Sequence, residues 1–227
     1  MRSCDLRKTD VGDDMIMNSG KIFLNAILAG IFIGIAGTVC MAVPNPVIGA
    51  FLFGFGLLTI VSYGFKLYTG AIGYLAVQGR NTPRYLWELL LIWLGNLGGC
   101  YLVGQLVRQT RSFPAFSTRI SNVCAAKLGD SFTSWLILSF FCGILMYVAV
   151  ESFKRKDELA PIVRVAILFL CVAIFILSGF EHCIANMYYF SAGDVWSWQA
   201  LGTIGVMTLG NSLGGMMLPL AGHVKKQ

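Results

Sequence analysis

The run "VRVAILFLCVAIFIL", Val163 to Leu177, carries one charge, Arg164, near its start and is otherwise apolar. Runs of this kind recur along the chain, several of them approaching the ~20 apolar residues that cross a bilayer. With 56% hydrophobic and only 12% charged residues, the chain has too little polar surface for a water-facing exterior. The expectation is an all-α polytopic membrane protein. Its 26 glycines fit, because small residues let membrane helices pack closely.

Six spans are predicted, near 22–43, 47–78, 84–108, 131–153, 161–190 and 196–219. They group into a tail over 1–20, a first repeat over 21–108, an extracytoplasmic connection over 109–130, a second repeat over 131–220 and a tail over 221–227. Met1 to Asn18 is polar, with no apolar stretch ending in a cleavage site, and reads as a cytoplasmic tail rather than a signal peptide. Of the 17 basic residues, Arg108, Arg111, Arg119 and Lys127 fall on the outer side and Lys66 in a span; the rest fall with the N-terminus. That asymmetry places both termini in the cytoplasm. The net charge of +6 is then mostly topology and not a nucleic-acid footprint. The seven cysteines show no CxxC and no histidine at ligand spacing, which argues against a metal or redox site.

The second and fifth spans are too long for one straight helix. Each contains a glycine-bearing interruption, "YGFKLYTG" at 63–70 and "LSGFEHCIAN" at 177–186. The second places Glu181 and His182 where lipid is expected, although a charged side chain at the bilayer centre costs at least ~2.5–3.5 kcal/mol. A shift of 115 residues lays "GFKLYTGAIGYL" over "GFEHCIANMYYF", and the same shift lays "LGNLGG" over "LGNSLGG". Three spans per half make the two halves enter the membrane in opposite senses. Paired broken helices in an inverted repeat mark a transport site near mid-membrane. Glu181 and His182 are therefore expected to line a pathway. Under the same shift Lys66 is the counterpart of Glu181, and the two are expected to compensate each other's charge.

"GFEHCIANM" at 179–187, "KLYTG" at 66–70 and "GNSLGG" at 210–215 resemble the signature segments of the formate/nitrite transporter family, over essentially all six spans. The resemblance implies a homopentamer of aquaporin-like protomers, each with its own pore for small monovalent anions such as formate or nitrite; hydrosulfide, acetate and lactate are the alternatives. It assigns His182 as the central pore histidine and Thr69 as the threonine of the opposing loop. Leu57 and Leu67 fall at the cytoplasmic constriction, Phe53 and Phe175 at the outer one. Lys127 resembles the lysine of the outer vestibule, Lys21 the inner one, and Asn211 the asparagine of the sixth span. Two departures stand out. Lys66 replaces an acidic residue, followed by Leu67-Tyr68-Thr69 where the family has Leu-Phe-Thr, and Cys142-Gly143 replaces Cys-Asn. Loss of that asparagine amide predicts a roomier or less polar outer pore. Gly70, beside Thr69, leaves space for a small carboxylate.

Plainer readings stand beside these. A membrane histidine is often a structural hydrogen-bonding residue, lysines near span ends often snorkel to headgroups, and Gly-rich pieces are often packing surfaces. A neutral-solute channel of the aquaporin type would want Asn-Pro-Ala-like tripeptides in the breaks, whereas "NPV" occurs only at 45–47, between spans. An enzyme would need a nucleophile or metal constellation; Glu181 and His182 are adjacent rather than spaced i, i+4. The reading is a channel for anions of weak acids without cofactor, partnered by protons and the bilayer. His182, whose unperturbed pKa lies near physiological pH, is expected to carry the proton linkage.

Overall fold

The computed structural model describes residues 6–222, with side chains from residue 18 onward. The expectations for the far ends of both tails therefore lie outside the described residues. The helix α1 (Leu6–Ala42) already begins within the stretch read as a tail. It is followed by α2 (Pro46–Tyr63), α3 (Tyr68–Ala71), a 3-10 stretch over Ile72–Val77, α4 (Thr82–Arg108) and α5 (Ser117–Leu128). The second half contains α6 (Phe132–Lys154), α7 (Pro161–Leu177), α8 (Cys183–Gly193) and α9 (Trp198–Leu220). No strand occurs among the described residues.

Five helices are long and apolar enough to cross a membrane: Asn18–Ala42 within α1, Pro46–Tyr63, Gly79–Arg108, Phe132–Lys154 and Trp198–Leu220. The fifth expected span, 161–190, consists of α7 and α8, each too short to cross alone. The connection at 109–130, expected only as a link, forms α5, which buries Ile120 and Cys124.

Local chemistry explains the boundaries. Asn45 caps α2, its side-chain oxygen accepting from the N–H groups of Val47 and Ile48 at 2.9 and 3.1 Å, with Pro46 at the first helical position. That accounts for "NPV" as a helix start. At the other end of α2, Gly64 has φ 72°, and Gly179 after α7 has φ 68°. Only glycine adopts this left-handed turn without a steric cost. In both places the chain folds back the same way: Phe65 N–H donates to Ile60 C=O and Phe180 N–H to Phe175 C=O, each at 2.9 Å. The next residues run extended, held by Lys66 N–H on Asn25 C=O and Glu181 N–H on Leu138 C=O, both at 3.3 Å. The helices α3 and α8 then start at Tyr68 and Cys183.

One asparagine secures each break. Asn96 of α4 donates to the carbonyls of Ala26 and Lys66, both at 2.8 Å, and accepts from Tyr68 N–H at 2.9 Å. Asn211 of α9 donates to the carbonyls of Ser139 and Glu181, at 2.7 and 2.8 Å, and accepts from Cys183 N–H at 2.8 Å. These bonds satisfy backbone groups that an interrupted helix leaves open. The surrounding glycines bring the helices close enough. A Cβ at Gly99 would run into the Ile27 carbonyl of α1, and one at Gly214 into the Phe140 carbonyl of α6. The short helix α8 sits innermost, with every residue from Cys183 to Ala192 buried. The outer helix faces show Phe51, Phe55, Leu90, Leu106, Phe141 and Leu170.

Candidate functional site: two breaks bridged by a histidine and a threonine

The two breaks meet at His182 and Thr69. His182 Nε2 and Thr69 Oγ1 are 3.0 Å apart, and both residues are buried. His182 is also the N-cap of α8: its Nδ1 accepts the Ala185 N–H at 3.1 Å. A nitrogen that accepts carries no proton, so the neutral imidazole has its proton on Nε2 and donates it to Thr69. This assignment follows from the hydrogen-bond network. The Thr69 hydroxyl hydrogen is then free to point elsewhere.

Aromatic rings flank the histidine. The Phe175 ring lies 5.6 Å from the His182 ring, and Phe53 packs edge-on against Phe175 at 5.7 Å. On the face that carries the N-terminal end of the described chain, a cavity of about 520 Å³ opens, its lining including Lys21, Asn25, Ile60, Lys66, Leu67 and Gly70. Ile60 and Leu67 are almost completely buried and close this cavity toward the histidine-bearing break. Leu57, expected beside Leu67, is buried one turn away from Ile60. Ile60 was not singled out from the sequence, yet it sits 115 residues before Phe175, as Leu67 sits before His182. The repeat therefore held the signal. Gly70 does line the cavity, but a Cβ there would lie 2.8 Å from a Val150 methyl of α6, so any side chain also presses on that helix.

Glu181 is paired differently from expectation. Its carboxylate binds Lys127 of α5, and Asn186 Nδ2 donates to it at 2.7 Å. Both charges are largely covered, with side-chain exposures of 16% for Lys127 and 6% for Glu181. Lys66, the expected partner, is exposed in the cavity of the opposite face. The breaks approach through Thr69 and His182, one or more residues beyond the charged positions, so equivalence in the repeat does not bring Lys66 to Glu181. What delivers Lys127 is α5, stapled on three sides. Arg119 donates to the carbonyls of Met41 at the end of α1 and of Val43 and Pro44 in the turn after it, Cys124 bonds Tyr189 C=O at 3.2 Å, and Trp135 Nε1 bonds Lys127 C=O at 2.7 Å.

Three further residues occupy places that differ from the sequence reading. Both Asn211 amide hydrogens and its oxygen are engaged by backbone groups, which makes it a clamp behind the break with no free N–H to offer an anion. A Cβ at Gly143 would collide with the Asn211 carbonyl. This glycine therefore sets the contact of α6 with α9, and its missing amide does not widen a pore. The Tyr68 hydroxyl, extra relative to phenylalanine, bonds Ser212 Oγ at 3.0 Å. Among the described residues no group of three or more metal-ligating side chains occurs.

Two interrupted apolar helices whose breaks meet at a buried polar bridge, with a charged cavity on one face, define a membrane channel. The family model described as formate/nitrite transporter matches residues 9–224. The chain is 24% identical over 221 residues to the nitrite transporter NirC of Salmonella typhimurium, covering 88% of this chain and 81% of that one. It is 30% identical over 185 residues to the "Uncharacterized transporter YrhG" of Bacillus subtilis, covering 75% and 68%. A solved structure of a "pentameric formate channel with formate bound" superposes with a TM-score of 0.75 at 25% identity, covering 91% of this chain and 96% of that one. The chain belongs to the formate/nitrite transporter family. It is an anion channel of the membrane and not an enzyme.

Proposed function

We propose that this protein conducts small monovalent anions of weak acids, with formate and nitrite as the reference substrates, and that passage is linked to protons through His182. In this reading the protein is a homopentamer in the cell (inner) membrane, with both termini cytoplasmic and the two halves crossing in opposite senses. The similarity to a pentameric formate channel supports the assembly. The observation that carries the reading is the single polar bridge, His182 to Thr69, set among Phe53, Phe175, Leu67 and Leu57.

Moving a bare anion into apolar surroundings costs on the order of tens of kcal/mol before compensation. Protonating an acid of pKa near ~4 at pH 7 costs about 4 kcal/mol, three units at ~1.4 kcal/mol each. The smaller cost decides: the solute crosses the greasy rings as the neutral acid. Lys21, which lines the cavity on one face, draws anions to that mouth by electrostatic focusing, whereas Lys127, paired with Glu181, brings no net charge to the other. An anion reaching the bridge takes Thr69's place as acceptor of the Nε2–H. His182 gains a second proton only by releasing the Ala185 N–H, and losing such a cap costs about 0.5–2 kcal/mol. The anion's charge against the ring offsets that cost. The anion takes the Nε2 proton and leaves as the neutral acid; the ring, left protonated on Nδ1, regains its Ala185 cap once Nδ1 has given up that proton and Nε2 has taken one from water.

His182→Asn tests this. Asparagine is a good N-cap, so α8 keeps its start, but the side chain no longer titrates. The variant should assemble and conduct formate in liposomes, yet lose most of the change in flux between about pH 5 and 8, the range set by histidine's ordinary pKa. A wild-type pH profile in the variant would show that the proton comes from water in the vestibule. In the same preparation formate and nitrite should permeate and glycerol should not.

A further inference from the structure

The two breaks carry opposite charges at equivalent positions, and their surroundings differ. Glu181 is 5% exposed, paired with Lys127 and bonded by Asn186, so its break is electrically closed. Lys66 is exposed in the cavity and enters no ion pair among the described residues. Lys21 and Lys154 line the same cavity. Lys154 has its Nζ 3.8 Å over the Tyr74 ring, and Glu151, which accepts the Tyr74 hydroxyl at 2.7 Å, offsets part of its charge. Glu88 is the carboxylate among the lining residues, and it is already paired with Arg84 at 3.4 Å. The amides of Asn18 and Asn25 complete a polar wall above the apolar floor of Ile60 and Leu67.

A cavity of about 520 Å³ holds a small oxyanion with part of its water. Lys66 and Lys21, with Lys154 partly offset by Glu151 and Glu88 paired with Arg84, leave a net positive cavity that favours a doubly charged ion over a singly charged one. A monovalent weak acid leaves such a place by taking up a proton, whereas a divalent oxyanion at neutral pH has no accessible neutral form with which to cross the floor. We propose that this cavity is a binding site for divalent oxyanions of the sulfate or hydrogenphosphate class, with Lys66, Lys21 and Lys154 as its charged walls. An ion bound there blocks the passage of monovalent anions from that face. The block deepens the proposed transport reading and rests on it; the binding does not.

The experiment uses the full chain in detergent and in liposomes, with sodium sulfate as the probe and chloride adjusted to constant ionic strength. Calorimetric titration should show saturable sulfate binding that weakens about tenfold in Lys66→Gln and vanishes in Lys66→Glu. Formate binding should weaken only about threefold in Lys66→Gln, because a doubly charged ion feels each lost charge twice and its fold-change is the square. Arg111→Gln, which removes an exposed charge elsewhere, should leave sulfate binding unchanged. In liposomes, sulfate on the face bearing Lys66 should inhibit formate flux, and Lys66→Gln should relieve the inhibition. Absence of saturable binding, or equal affinity in wild type and both Lys66 variants, overturns the site. Inhibition equal from both faces overturns the block. Sulfate binding in a protein that carries no formate would leave the site standing and remove the transport reading; formate flux without sulfate binding would do the reverse.

Discussion

At the scale of single residues, Glu181 and Lys127 show what a buried charge demands. Lys127 comes from 54 residues earlier in the chain and reaches the break only because α5 folds back over it. Breaking a buried pair by removing one partner typically costs about 3–5 kcal/mol, while replacing both partners with neutral groups is far less harmful. Lys127→Gln should therefore lower the thermal stability of the detergent-solubilised assembly sharply. Lys127→Met combined with Glu181→Gln should restore most of the loss, since the neutral amide introduced beside the break keeps an acceptor for Asn186. Purely additive losses in that cycle, read by size-exclusion after heating, would show that the two charges do not depend on each other. Lys66→Glu with Glu181→Lys, by contrast, has no geometric basis for rescue.

Among the elements, the legible and the illegible divide by physical cause. Helix existence followed from apolar run length, and the two breaks from glycine placed inside runs too long for one helix. Gly64 and Gly179 were readable because the left-handed turn leaves few other residues to choose from. The identity of His182 and Thr69 was legible in the quoted motifs, whereas the bond between them needed the breaks to meet in space. Asn96 escaped notice although its counterpart Asn211 was singled out; the repeat pointed to both, and only the hydrogen bonds reveal a clamp. The helix α5 was missed because its polar and apolar residues mix without a long run. Gly143 was misread because a side chain's absence says nothing about which way it would have pointed. Its Cβ direction meets the Asn211 backbone, so Gly143→Asn should push α6 away from α9 and lower assembly stability, overpacking of this kind costing about 1–3 kcal/mol. The relative rates for formate and lactate should change less than the stability does. A stable variant with altered selectivity would return Gly143 to the pore.

Over the whole molecule, the halves superpose in their contacts but not in one register. The breaks, α4 and α9 correspond at a shift of 115, as in Asn96 and Asn211, while their partners on α1 and α6 correspond at 113, as in Asn25 and Leu138. Two residues' difference within one half is enough to hide part of the repeat from a single-offset comparison. The shared frame also holds unlike contents: a histidine cap faces a leucine at the equivalent place, and a closed ion pair faces an open lysine.

The capped histidine has one more outcome, for the cell's energy supply. Hopping of protons along a wire requires a ring that takes one on one nitrogen, gives one up from the other, and then resets by exchanging tautomers. With Nδ1 held by the Ala185 N–H, an unoccupied ring is locked in one tautomer and the wire is cut at that point. On the proposed reading, an idle channel does not short-circuit the proton-motive force, and acidification accompanies only the arrival of a weak-acid anion. Liposomes loaded with a pH-sensitive dye and given a pH step should stay dark to it in chloride medium and respond within the same trace once formate is added. A wild-type leak before that addition would mean the imidazole turns over without its passenger.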